Sequence, residues 1–234
     1  MPVAPDLLAR LPLAPLLAAQ AVMVRHRALI LPEPPGPRSG EAGSGPALRL
    51  LIAGDSSAAG VGARTQSEAL SGRLVAELSR RFRVRWRLEA RTGATTGAAL
   101  DRLLRLPPET FDVAVVALGV NDVTRLLPRR LWVARQGALH DLMARRFGVT
   151  RTIVSGLPPM GRFPLLPQPL RWVLGCHAAR LDAALAVMAE GRPGLLHVPM
   201  DMPFETRFVA KDGFHPSPAA YAQWARVLAG RVQG

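Results

Sequence analysis

From Leu48 onward the chain alternates short apolar runs with longer stretches of helical pattern, and this alternation admits few folds. The short runs are Leu48–Ala53, Val84–Ala90, Val113–Leu118, Thr150–Ser155 and Leu195–Val198. The longer stretches are Gln66–Arg81, Gly97–Leu106, Arg130–Phe147, Leu170–Glu190 and Pro216–Val232. Brief runs of Val, Ile and Leu suit strands buried on both faces, and strands separated by helices pair in parallel with helices above and below. The expected class is α/β, with about five parallel strands in the sheet. No repeat of 20–50 residues is visible. Pro216 suits the first turn of the last helix, where a missing N–H costs little.

Residues 1–46 follow a different pattern from residues 47–234, which divides the chain into an amino-terminal arm and one large domain. Leu11–Val24 carries no formal charge but contains Pro12, Pro15 and Gln20. It is too short to cross a bilayer as a helix, which takes about 20 apolar residues. Three readings stay open: a helix packed on the domain, a helix in weak contact with a membrane surface, or a cleaved signal with Ala19-Gln20-Ala21 as its small-residue site. The first two suit a cytoplasmic or membrane-peripheral protein, the third an exported one. Leu31–Pro46 is rich in Pro, Gly and Ser and reads as a linker or surface arm, not a packed element.

The formal net charge of +13 raises the question of a nucleic-acid partner. The chain has a single lysine, Lys211, and its arginines are dispersed. The one dense run, Arg80–Arg87, alternates from Phe82 onward as a strand with one solvated face does, near a sheet edge. No nucleic-acid partner is expected. The lone cysteine, Cys176, excludes an internal disulfide, and the five histidines show no metal-ligand spacing, so no metal or other cofactor is expected.

Chemistry collects at the joints. The first strand breaks at Gly54-Asp55-Ser56-Ser57, at the edge where open parallel sheets bind ligands. Later joints are Arg91-Thr92-Gly93-Ala94-Thr95-Thr96, Gly119-Val120-Asn121-Asp122 and Asp212-Gly213-Phe214-His215. A serine hydroxyl becomes a nucleophile when a base takes its proton, and a histidine held by a carboxylate can do so. Ser56, His215 and Asp212 are the candidates. The Ser56 N–H, the Gly93 N–H and the Asn121 amide are candidate donors to the oxyanion of acyl transfer. Each residue also has a plainer reading: Ser56 as a helix cap, Gly93 as a turn glycine, Asn121-Asp122 as a capping pair. Asp55 and Asp122 read as structural hydrogen-bonding residues. His140, His177 and His197 read as packing or surface groups, and the indoles of Trp132, Trp172 and Trp224 as core or rim fillers.

The four joints, in this order, resemble the Ser, Gly, Asn and His blocks of the SGNH hydrolases, the GDSL-type esterases and lipases. The blocks lie between residues 54 and 215. Ser57 stands where a leucine is common in the first block. The resemblance implies a flavodoxin-like three-layer α/β/α fold, a triad of Ser56, His215 and Asp212, and an oxyanion hole from Ser56, Gly93 and Asn121. It implies hydrolysis of small-molecule esters.

Leu157–Pro167, after the fourth strand, is apolar and stiffened by proline. It reads as an acyl-pocket wall or as an ordinary packed connection; on the first reading Leu157, Pro158, Met160 and Phe214 bind substrate. An apolar wall favours carboxylic esters of short to medium acyl chains. Thioesterase, lysophospholipase and acetyl-sugar esterase activities use the same kind of site, and a non-catalytic binding module could keep the same fold.

Overall fold

The computed structural model describes residues 5–201 and 205–233. In chain order its elements are α1 (Pro5–Arg10), α2 (Ala14–Arg27), β1 (Ser39–Ala42), β2 (Ala47–Gly54), α3 (Ser56–Ala59), α4 (Leu70–Leu78) and β3 (Arg83–Ala90). These are followed by α5 (Thr96–Leu104), β4 (Val113–Ala117), α6 (Val120–Thr124), α7 (Arg129–Phe147), β5 (Arg151–Ser155), α8 (Leu170–Glu190), β6 (Leu195–Val198) and α9 (Pro218–Gln233). The strands form one sheet in the order β1-β3-β2-β4-β5-β6. Five pair in parallel, and β1 joins antiparallel to β3 at the edge.

Alternation along the central strands explains the three layers. In β2, Leu51 and Ala53 face a core shared with α5, α7 and α8, including Leu103, Trp132 and Leu181. Leu48, Leu50 and Ile52 face the opposite core with Leu74, Tyr221 and Leu228 from α4 and α9. Both sets are almost fully buried, so from Leu50 to Gly54 every residue of the strand is apolar or small, and the charged Arg49 sits at its exposed end. The α8 helix is long and apolar enough to cross a membrane by length and composition. Here its Val173, Leu181 and Leu185 lie fully buried in the core.

The sequence reading needs correction at three places. Leu31–Pro46 runs along the surface, mostly exposed, but it is tied to the domain, with Pro34 buried. Ser39–Ala42 is strand β1, so the sheet has a sixth, antiparallel strand. Gln66 lies ahead of helix α4, not inside it, and ties the arm down. Its buried amide donates to the Pro34 and Ala59 carbonyls and accepts from Ser71 Oγ at 2.9 Å. Pro216 precedes the last helix; it bridges to Val209, while Ser217 Oγ accepts from the Ala220 N–H as the helix begins. The arginine-rich strand β3 lies one place in from the edge. Its arginines face acids: Arg83 meets Glu41, Arg85 meets Glu109, and Arg87 meets Glu89 and Glu109.

Candidate active site

Strand order reverses on either side of β2, with β3 to one side and β4 to the other. At such a switch point the two carboxyl-end loops diverge and leave a crevice. The loops after β2 and β4 carry Ser56 and Asn121, and both residues line that crevice.

Gly54 ends β2 where no side chain fits. A Cβ there would lie 2.3 Å from the Ala58 Cβ and 2.5 Å from the Ala117 carbonyl. The chain then turns into α3. Asp55, not Ser56, is the helix cap: its Oδ1 accepts the Ser57 N–H at 2.9 Å. Ser56 takes the first helical position, where a backbone N–H has no acceptor within the helix. Burial pushes the Asp55 carboxyl up to about 6 despite the Ser57 bond, and the nearby Asp122 carboxyl pushes in the same direction.

His215 comes from the loop before α9. Its Nε2 lies 2.9 Å from Ser56 Oγ, placed to accept the hydroxyl proton, and its Nδ1 donates to Asp212 Oδ2 at 2.5 Å. Asp212 Oδ1 also accepts the N–H groups of Phe214 and His215, both at 3.0 Å. Burial raises the Asp212 carboxyl, but the His215 ring and these two amides outweigh it and hold the group below its ordinary value. The loop is closed on itself by the Ala210 N–H, which donates to the His215 carbonyl at 2.8 Å.

Gly119 turns the chain from β4 into α6 at φ +134°, a region closed to most residues, and a Cβ there would strike Leu157 at 2.5 Å. Asn121 Nδ2 donates to the Ala94 carbonyl at 3.1 Å, which leaves its second hydrogen for the crevice. Gly93 lies in the exposed turn after β3 at φ +76° and does not itself line the crevice. Its turn is fixed from both sides. The Arg91 N–H donates to the Gly54 carbonyl, and Glu33 of the arm accepts both the N–H and hydroxyl of Thr92, at 2.7 and 2.8 Å. Buried Asp122 serves α5, accepting from the Thr96 N–H and hydroxyl.

The crevice has a volume of about 860 Å³ counting its open mouth. Leu157, Pro158 and Phe214 line it. Met160 does not: it is fully buried in the core, in a 3₁₀ turn packed on α8. The neighbouring Phe163 lines the crevice and meets Phe214 edge to face, with ring centroids 5.1 Å apart. Phe214 in turn lies 5.3 Å from the His215 ring. Sequence reading covered Phe163 within the Leu157–Pro167 wall without singling it out, and missed Phe208 and Trp224 as crevice residues; proximity to the last block could have flagged Phe208. Trp224 forms part of the floor, its indole N–H donating to Ser155 Oγ at 3.1 Å. Of the other histidines, His177 is buried and pushed down to about 4 by burial and by Arg10 and Arg180, while His197 meets Asp182 at 2.9 Å. Among the described residues no group of three His, Cys, Asp or Glu side chains is arranged to hold a metal ion.

No curated protein matches the sequence. Among solved structures, a lipase from a goat rumen metagenome is 18% identical, covering 80% of this chain and 97% of its own, with a TM-score of 0.61. A psychrotrophic esterase from Pseudoalteromonas sp., inhibited by monoethylphosphonate in its structure, is 18% identical over 79% of this chain and 96% of its own, with a TM-score of 0.59. A lipase/acylhydrolase from Enterococcus faecalis is 20% identical over 80% and 96%, with a TM-score of 0.55. These likenesses show a shared three-layer fold. The sequence itself matches the GDSL-like lipase/acylhydrolase family over residues 52–223, a span holding all four loops described above, and the chain therefore belongs to that family of hydrolases.

Proposed function

We propose that the protein cleaves carboxylic esters of short to medium acyl chains through an acyl-enzyme on Ser56. The observation that carries this reading is the continuous line from Ser56 Oγ through the His215 ring to Asp212. Ser56 Oγ attacks the acyl carbonyl as His215 Nε2 takes its proton. Asp212 fixes the ring with Nδ1 protonated and stabilises the imidazolium. The tetrahedral oxyanion is met by the Ser56 N–H and the Asn121 amide, each such donor typically worth about 3–4 kcal/mol; Gly93, expected as a third donor, lies outside the crevice lining. His215 returns the proton to the leaving alcohol, then activates water to release the acid.

The crevice walls suit an acyl chain. Leu157, Pro158, Phe163 and Phe214 offer apolar contact, and a sugar ring would find few polar partners there. Hydrolysis rates across p-nitrophenyl esters from acetate to long chains, beside acyl-CoA, test this. The expected optimum lies at short to medium esters, and Ser56→Ala lowers kcat by about 10³-fold or more while the fold stays intact. A preference for acyl-CoA or acetylated sugars moves the substrate class, and an active, folded Ser56→Ala overturns the mechanism.

A further inference from the structure

Seven of the thirteen large apolar side chains exposed among the described residues lie between residues 7 and 30: Leu7, Leu8, Leu11, Leu16, Val22, Leu29 and Ile30. Helix α2 concentrates the anomaly. Its inward positions follow helical spacing, with Leu13, Leu17 and Val24 packed against the core. Gln20, its single uncharged polar residue, also turns inward: Nε2 donates to the Gln168 carbonyl at 2.6 Å, and Oε1 accepts the Leu170 N–H at 3.1 Å. The opposite face presents Pro15, Ala18, Ala19 and Val22, all exposed. A helix on the surface of a soluble protein places polar residues on that face. This one has none for three turns.

Charge names what covers it. Asp6 is the sole acid in residues 1–32, and it is buried against Arg180 and Arg10. The exterior of the segment is therefore cationic, with Arg25 and Arg27 exposed at the end of α2 and no acidic partner for them among the described residues. Trp172, 38% exposed, sits two residues past the point where Gln20 holds the chain. Apolar faces ending in arginine, with a part-exposed indole on the neighbouring helix α8, match the boundary of an anionic lipid layer. A second copy across a two-fold axis is the competing cover and is an outcome of the test below.

We propose that the amino-terminal helix pair is a docking surface for anionic lipid bilayers, lying flat on the headgroup region. The docking point adjoins the crevice. Gln20 grips the end of the loop that carries Phe163, and Phe163 meets Phe214 beside His215. A protein seated by α2 thus holds its apolar crevice next to the lipid layer, where esters of amphiphiles collect. The inference stands apart from the acyl-transfer reading, because binding is measured without turnover.

The test is co-sedimentation of the full chain with phosphatidylcholine vesicles containing phosphatidylglycerol, against phosphatidylcholine alone, at low and high salt. The expected result is binding to the anionic vesicles that weakens with salt, and a loss of about tenfold or more in affinity in Leu16→Glu/Val22→Glu and in Arg25→Glu/Arg27→Glu. Both pairs are exposed, and hydrolysis of a soluble p-nitrophenyl ester stays at the wild-type rate. Three outcomes overturn the proposal. One is no binding to either vesicle. A second is equal binding to both vesicles, or binding untouched by the substitutions. The third is a dimer in sedimentation equilibrium that Leu16→Glu/Val22→Glu dissociates while vesicles bind nothing.

Discussion

Asp55 shows how one side chain can be necessary and costly at once. It caps α3, and so sets the start of the turn that presents Ser56, yet it is 2% exposed beside a second buried carboxyl, Asp122. Its folded pKa of about 6 stands above the ordinary 3.8, so the folded state holds its proton more tightly than the unfolded chain does. Stability from this group is fully present below the ordinary value and declines as pH rises through about 6, by an amount on the order of 3 kcal/mol. Asp55→Asn keeps an acceptor for Ser57 and removes the penalty. Its melting temperature relative to wild type should rise from about pH 4 to about pH 8. A constant difference would show that Asp55 does not carry the shift. Much at this scale was legible, because Ser, Gly and Asn followed strands and His preceded the last helix, in that order. That the hydrogen bond of Asp55 is the helix cap was less so, since Asp and Ser are both good caps and only the backbone angles decide.

The elements around the crevice are held by a few polar clamps. The Leu157 N–H donates to Asp182 Oδ1 at 2.8 Å, and the same oxygen meets His197 Nε2. Asp182 thereby fixes the crevice wall from α8. Asp182→Ala should raise KM for the longer acyl esters by about three- to tenfold, the worth of one such bond, with kcat on acetate little changed; an equal loss on all esters would place the effect elsewhere. On the opposite side Glu33 reaches from the arm to hold the Gly93 turn. Burial raises its carboxyl, but the Thr92 donors and Arg38 prevail and hold it below the ordinary value. Its stabilisation is therefore present above the ordinary carboxylate range and lost as pH falls. Glu33→Ala should cost about 1 kcal/mol at neutral pH and lower kcat through a looser turn, both effects fading in acid; unchanged kinetics would show that the arm only packs. Proline and glycine made this arm read as a linker. Its order comes from partners that sequence does not disclose: Thr92, Gln66 and strand β3.

At the scale of the molecule, the five parallel strands and their covering helices were readable because the central strands leave short apolar runs and β3 leaves an alternation of arginine with apolar residues. Leu195–Val198 and Leu170–Glu190 have the expected bounds, and the other strands differ at their ends by a residue or so. The sixth strand was hidden because Ser39–Ala42 is mostly exposed and lacks any apolar pattern. The crevice followed from topology and its lining in part: Leu157, Pro158 and Phe214 line it as expected, but Phe163 faces it while Met160, three residues earlier, faces the core. That choice depends on the 3₁₀ turn at Met160–Arg162. The proposed chemistry depends in turn on loops from β2, β4 and the segment before α9 converging at one edge of the sheet. A fluorophosphonate probe asks whether they do so productively. Intact mass and peptide mapping should show a single adduct on Ser56 of the wild-type protein and none on Ser56→Ala, while folded wild-type protein that stays unlabelled, or is labelled at another residue, would contradict the account.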